Sequence, residues 1–194
     1  MTKAHVLLFD GYADWELGHV LAELRRFGGV EVVGVGFTDK NVISMGGLRV
    51  IPDMVLSDVN PDEVLIFIIP GGYLWEGEYP VAEVEKILHR LAEKNVPIAA
   101  ICAATLVVAR AGLTRDRKHT SNSLDYITGK IQDYADAAYY VDLLCVRDRH
   151  LITASGLGAV ELTVEVLAEL NIASPEERTA WCDAFKHGVF PRES

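Results

Sequence analysis

The feature that most narrows the folds open to this chain is an alternation of short, nearly continuous apolar runs with segments of helical periodicity. Apolar runs stand at 6–9, 30–35, 64–69, 97–101 and 151–154. Strands read this way when they are buried on both faces, and a parallel sheet covered by helices on each side is the arrangement that buries them. Between the runs, Trp15, Leu17, Val20, Leu21 and Leu24 recur at spacings of three and four, as do Val81, Val84, Ile87, Leu88 and Leu91. Both spacings predict amphipathic helices. A third helix is expected over 103–111, stopped by Gly112, and a fourth over 159–170. The last helix is punctuated by Ser174 as cap, Pro175 in the first turn and Glu177 reaching back, a capping box. Two stretches break the alternation: 41–52, with Gly46-Gly47 at its centre, reads as a hairpin, and 139–152 reads as a second strand pair around Arg147-Asp148-Arg149. No linker, repeat or low-complexity segment divides the chain, and 194 residues suit one α/β domain over 1–194.

Composition then removes whole classes of function. Eighteen Lys and Arg against 28 Asp and Glu give a formal charge of −10 and no basic run. Neither nucleic acid nor an anionic membrane is an expected partner, because both need a basic footprint. Half the residues are hydrophobic, too many for a disordered chain. The apolar stretch near the start ends at Asp10, and the longest one, 98–109, is interrupted by Thr105 and closed by Arg110, so neither a secretory signal nor a bilayer span of ~20 residues is expected. Cys102, Cys145 and Cys182 are too few and too scattered for a disulfide framework, and no Cys/His spacing suits a metal. A reducing, cytoplasmic setting follows.

In an open α/β sheet, ligands sit outside the carboxyl ends of the strands, where the strand order reverses. The residues to inspect are therefore Asp10-Gly11 with Glu16 beyond, Pro70-Gly71-Gly72, Cys102-Ala103-Ala104 and Ser155-Gly156. Cys102 ends an apolar strand and precedes a helix of Ala, Leu and Val, with small neighbours Ala100, Ala103 and Ala104, as a sharp strand-to-helix turn requires. Roughly half a positive charge at the helix start favours a thiolate there. Cys102 reads either as a nucleophile or as a small buried hydrophobe. Backbone N–H groups at Gly72 and Ala103 would form an oxyanion hole beside it; a plain turn is the alternative use of the glycines. Glu16 fits a solvated first-turn acid as well as a carboxylate turned inward beside Trp15, while Asp14 reads as the helix cap. His119, seventeen residues beyond Cys102, lies far enough along for the chain to return an imidazole toward the sulfur. Tyr73, Trp75 and Tyr79 after the glycine turn either line a pocket mouth or pack beneath the loop. Gly34-Val35-Gly36 lacks the rest of a dinucleotide fingerprint, and there is no P-loop, HExxH, EF-hand loop or GxSxG. Ser155-Gly156-Leu157-Gly158 serves as an anion site or, more simply, a tight turn.

Taken together, 11–16 (Gly-Tyr-Ala-Asp-Trp-Glu), 69–72 (Ile-Pro-Gly-Gly), 99–105 (Ala-Ala-Ile-Cys-Ala-Ala-Thr), His119-Thr120-Ser121-Asn122 and Thr153-Ala154-Ser155-Gly156 resemble the DJ-1/ThiJ/PfpI superfamily, related to the class I glutamine amidotransferase domains. The resemblance covers nearly the whole chain. It implies a flavodoxin-like three-layer sandwich with a mostly parallel central sheet, a nucleophile elbow at Cys102, and Glu16 as the acid hydrogen-bonded to the sulfur. Ala103 stands where PfpI-type proteases place a histidine, which weakens a protease reading; His119 resembles the later histidine of the DJ-1 branch. The combination is similar to bacterial members labelled intracellular protease or amidase. The resemblance implies a cysteine-dependent hydrolase or lyase acting on a small carbonyl or amide compound, with Cys102 attacking and Glu16 and His119 moving protons. It calls for no cofactor and no metal, and for a homodimer. The alternative it carries is a non-catalytic cysteine-oxidation sensor or stress protein.

Overall fold

The computed structural model describes residues 2–189. Its strands are β1 (Lys3–Leu8), β2 (Val32–Gly36), β3 (Val42–Ile43), β4 (Arg49–Val50), β5 (Met54–Val55), β6 (Val64–Ile69), β7 (Ile98–Ile101), β8 (Cys145–Asp148) and β9 (Leu151–Ala154). Its helices are α1 (Asp14–Arg26), α2 (Val81–Glu93), α3 (Ala104–Arg110), α4 (Leu124–Lys130), α5 (Ala159–Glu169) and α6 (Pro175–His187). Seven strands form one sheet in the order β5-β2-β1-β6-β7-β9-β8. All neighbours pair in parallel except β8, which closes the edge antiparallel to β9. The α/β architecture expected from the apolar runs is therefore present. The central strands show why those runs carry no alternation: every residue of β7 is buried, as are five of the six in β6. Helices α1, α5 and α6 pack side by side, while α3 sits against α4 and β7.

The hairpin expected over 41–52 forms as β3 and β4, a separate two-stranded sheet, and the second pair forms as β8 and β9. The turn between β8 and β9 places Arg149 and His150 at positive φ, as a tight two-residue connection demands. The capping box of α6 is complete: Glu177 N–H donates to Ser174 Oγ and Ser174 N–H donates to Glu177 Oε2 at 2.7 Å. One local expectation is corrected, and one helix had no counterpart in the sequence reading. Asp14 does not cap α1; it is the first helical residue, behind Ala13, and its carboxylate instead accepts a hydrogen bond from Ser44 Oγ at 2.7 Å, tying the hairpin to the start of α1. Helix α4 was not legible, because seven residues with few apolar positions carry too short a period. It is started by Ser123, whose side chain accepts Tyr126 N–H.

The strand order reverses between β1 and β6: the chain moves from β1 outward to β2 and β5, then returns to build β6, β7 and β9 on the other side. The loops after β1 and β6 thus leave the same end of the sheet side by side, where a switch point of this kind places functional residues. Ile68 lies at the centre of this arrangement, fully buried and in register with Val6 and Ala99. Ile68→Ala is expected to cost about 2–5 kcal/mol of stability, read as a lowered midpoint of urea unfolding with an unchanged slope.

Candidate active site

Cys102 follows the last residue of β7 with a backbone φ of 59°. A non-glycine residue in this region is strained by roughly 1–3 kcal/mol and needs its surroundings to hold it. Its own N–H donates to Ala154 O at 2.8 Å, continuing the β7–β9 ladder one residue past the strand, and Thr105 donates to Cys102 O through both its N–H and its hydroxyl. Helix α3 consequently begins at Ala104, one residue later than the sequence suggests, because Cys102 turns the chain and Ala103 serves as the half-helical cap.

Space for the bend comes from two glycines. A Cβ on Gly71 would lie 2.7 Å from Cys102 Cβ and 2.9 Å from both carboxylate oxygens of Glu16. A Cβ on Gly156 would lie 2.9 Å from Cys102 Sγ. Both distances are shorter than carbon can tolerate, so the two glycines are required by close approach. They also show that the Glu16 carboxylate and the Cys102 side chain face each other across Gly71.

Glu16 is 1% exposed. Trp15, placed on the inner face by the spacing, is instead 55% exposed, and the carboxylate takes the inward position. The loop after β1 is bound to the loop after β6 in both directions: Ala13 N–H donates to Gly71 O at 3.0 Å, and Gly71 N–H donates to Glu16 Oε2 at 2.6 Å. Oε1 is buried with no hydrogen-bond partner among the described residues, on a group that confronts the cysteine. Burial holds the Glu16 carboxyl up at about 7, against the downward pull of the Gly71 N–H and the thiol. Burial also pushes the Cys102 thiol above its ordinary value; the Asn122 amide and the Ala103 N–H pull it down, while the Glu16 charge adds to the rise. The helix start alone thus does not produce the isolated low-pKa thiolate expected from the sequence. Glu16 therefore loses its proton near neutrality, and the charge so formed holds the neighbouring thiol higher still.

The remaining neighbours of the sulfur come from the segment before α4. Asn122 Nδ2 donates to Cys102 Sγ at 3.4 Å, and Gly156 N–H donates to Asn122 Oδ1 at 2.9 Å. Asn122 belongs to a motif carrying the family resemblance, yet nothing in its spacing assigned it to the sulfur. His119 is fully buried in the same segment, and its ring makes no hydrogen bond to Cys102. Its Nδ1–H donates to Arg117 O at 2.8 Å, which leaves Nε2 to accept from the Tyr134 hydroxyl. Both nitrogens are thereby committed. Ala103 follows the sulfur directly at the start of α3, and Gly72, packed against Phe9 and Gly11, has a backbone N–H with no acceptor among the described residues. Trp75 is fully buried beneath the glycine turn, with Nε1–H donating to Pro70 O at 2.8 Å, whereas Tyr73 is exposed. Among the described residues, no three of His, Cys, Asp and Glu converge as a metal would need. A groove of about 560 Å³ between α1 and α6 is lined by Phe27, Trp181 and Phe185 and by none of the residues above.

Residues 2–169 match the DJ-1/PfpI family. The chain belongs to that family. It is 34% identical over 186 residues to a Bacillus subtilis protein named uncharacterized protease YoaZ, covering 92% of this chain and 88% of that protein. It is 29% identical over 150 residues to deglycase TK1284 of Thermococcus kodakarensis, covering 76% of this chain and 90% of that one. Among solved structures, the DJ-1 superfamily protein Atu0886 of Agrobacterium tumefaciens superposes with a TM-score of 0.88 at 32% identity, covering 96% of this chain and all of that one. Among the described residues, no helix of this DJ-1/PfpI protein is long and apolar enough to cross a membrane.

The elevated carboxyl has a measurable consequence. In the unfolded chain Glu16 ionises near its ordinary 4.5, and in the fold near 7. Between these values the folded protein keeps a proton that the unfolded chain has released, so stability falls as pH rises through this window. Urea unfolding of wild type against Glu16→Gln, which does not titrate, should show wild type losing about 3 kcal/mol relative to the variant between pH 4.5 and 8. Parallel stability curves would mean that the carboxylate is already charged at pH 5.

Proposed function

We propose that this DJ-1/PfpI protein is a cysteine-dependent enzyme, a hydrolase or lyase that acts on a small carbonyl or amide compound within one domain spanning 1–194. The observation that carries this reading is Cys102 at φ 59°, facing a buried glutamate whose proton is retained to about pH 7. Strain and burial of this kind persist where the surroundings are built to hold them. The names protease and deglycase among its relatives support the same two substrate types, amide and carbonyl.

In this reading the thiolate sulfur bonds to the carbonyl carbon, and the C=O electron pair moves to oxygen, where Gly72 and Ala103 N–H groups receive it. Glu16 hands its proton to that oxygen when a carbonyl compound reacts, or to the departing nitrogen when an amide is cleaved. In the amide case water then attacks the thioester, and Glu16 takes up a proton from it. We assign the proton transfers to Glu16 rather than to His119, whose nitrogens are engaged elsewhere. His119 holds the segment that ends at Asn122. The scheme needs neither cofactor nor metal. The family resemblance favours a homodimer, and three unpaired cysteines suit a reducing cytoplasm.

Turnover of methylglyoxal, a glycated amine and a chromogenic amide should fall by about a thousandfold or more in Cys102→Ser. Undiminished turnover in that variant would remove the enzyme reading. The donors around the sulfur favour one other reading: Asn122 Nδ2, Ala103 N–H and the Glu16 hydroxyl would also hold the two oxygens of a cysteine sulfinate. Mass spectrometry after mild peroxide treatment separates them. Two oxygens added at Cys102, with no turnover of any compound in the panel, would identify a sensor.

A further inference from the structure

The sulfur of Cys102 has no lysine, arginine or histidine among the partners that shift its proton affinity. Whatever anion forms there must be held by neutral donors, and the side-chain donor is Asn122. We propose that Asn122 is a catalytic residue of this site, its carboxamide donating an N–H to the reacting sulfur and stabilising the anion from which attack begins. The inference rests on the reading of Cys102 as the reactive nucleophile.

The orientation of the amide follows from its partners. Gly156 N–H can only donate, so the atom it meets at 2.9 Å is Oδ1, and the atom 3.4 Å from Cys102 Sγ is the NH2 group. A donor so placed strengthens as the sulfur becomes charged, because hydrogen bonds to ions are about twice as strong as neutral ones. The contact is also held from both sides along the chain. Before it, Ser121 Oγ lies 2.6 Å from Thr105 Oγ1, and Thr105 is hydrogen-bonded to Cys102 O. After it, Ser123 caps α4, and α4 is pinned to the turn beyond Gly72 by Glu76, which accepts from Tyr126 at 2.9 Å and from Lys130 at 2.6 Å. Asn122 is thus fixed relative to the elbow, to Gly156 and to the glycine turn, the three backbones that surround the sulfur. A residue that only filled space would need none of this.

The test is the pH dependence of Cys102 alkylation by iodoacetamide, followed site by site by mass spectrometry between pH 5 and 10. In Asn122→Asp the side chain keeps an acceptor for Gly156 N–H but replaces the donor with a second negative charge beside the sulfur; the midpoint of the profile should rise by more than one pH unit. In Asn122→Ala the donor is lost without added charge, and the midpoint should rise by about one pH unit. At pH 7 the alanine variant should alkylate only about threefold more slowly, since a more basic thiolate is intrinsically more nucleophilic. Thermal unfolding identifies any variant that fails to fold, in which case the other carries the test. Profiles that overlay wild type in the folded variants overturn the role of Asn122 while leaving Cys102 reactive. Wild-type Cys102 reacting no faster than Cys145 and Cys182 instead overturns the nucleophile reading itself.

Discussion

The site depends on one backbone constraint, a cysteine held in the left-handed region directly at the end of a buried parallel strand. An alanine side chain at Gly71 or Gly156 would refuse this bend. Gly71 and Gly156 leave room for Cys102 Cβ and Sγ from opposite sides, and the strand ladder extends one further hydrogen bond to Ala154 to hold the turn. Relaxing Cys102 into ordinary helical backbone would swing the sulfur off this axis and break the contact to Ala154. The strain is stored because β7 is buried along its length and cannot shift to relieve it.

The reversal of strand order supplies the second half of the site. Parallel strands that diverge at β1 and β6 leave the loops after them facing each other, and here those loops are joined by reciprocal hydrogen bonds between Ala13, Gly71 and Glu16. The joint drives Glu16 into the interior and turns Trp15 outward. A buried carboxyl is costly when charged and tolerable when protonated. The fold therefore keeps a proton near the sulfur at neutral pH without any basic side chain in contact.

The third contributor is the segment from His119 to Asn122, which works mainly by being rigid. His119 is locked between a carbonyl and a tyrosine hydroxyl, Thr120 N–H donates to Thr153 Oγ1, and Ser121 meets Thr105. The last two bonds tie the segment to β9 and to α3, the elements on either side of the elbow. A histidine at this distance from a nucleophile invites a catalytic assignment from sequence, but distance along the chain says nothing about where the ring nitrogens find partners. Asn122 illustrates the converse, a polar residue with no distinctive spacing that the tertiary structure delivers to the sulfur.

The sequence by itself determined the architecture: apolar runs without alternation demanded a sheet covered on both faces, and glycines, caps and periodicities placed most elements within a few residues. It also marked Cys102, because a strand-to-helix corner with small neighbours is a local property of consecutive residues. Only the tertiary structure decided which way Glu16 points, that Asp14 binds Ser44 rather than capping its helix, that the His119 ring is held by Arg117 and Tyr134, and that Asn122 donates to the sulfur. The physical reason is range. Backbone bends and helical faces are set by neighbours along the chain, whereas proton affinities and hydrogen-bond partners depend on groups brought together from loops up to 55 residues apart, as with Gly71 and Glu16.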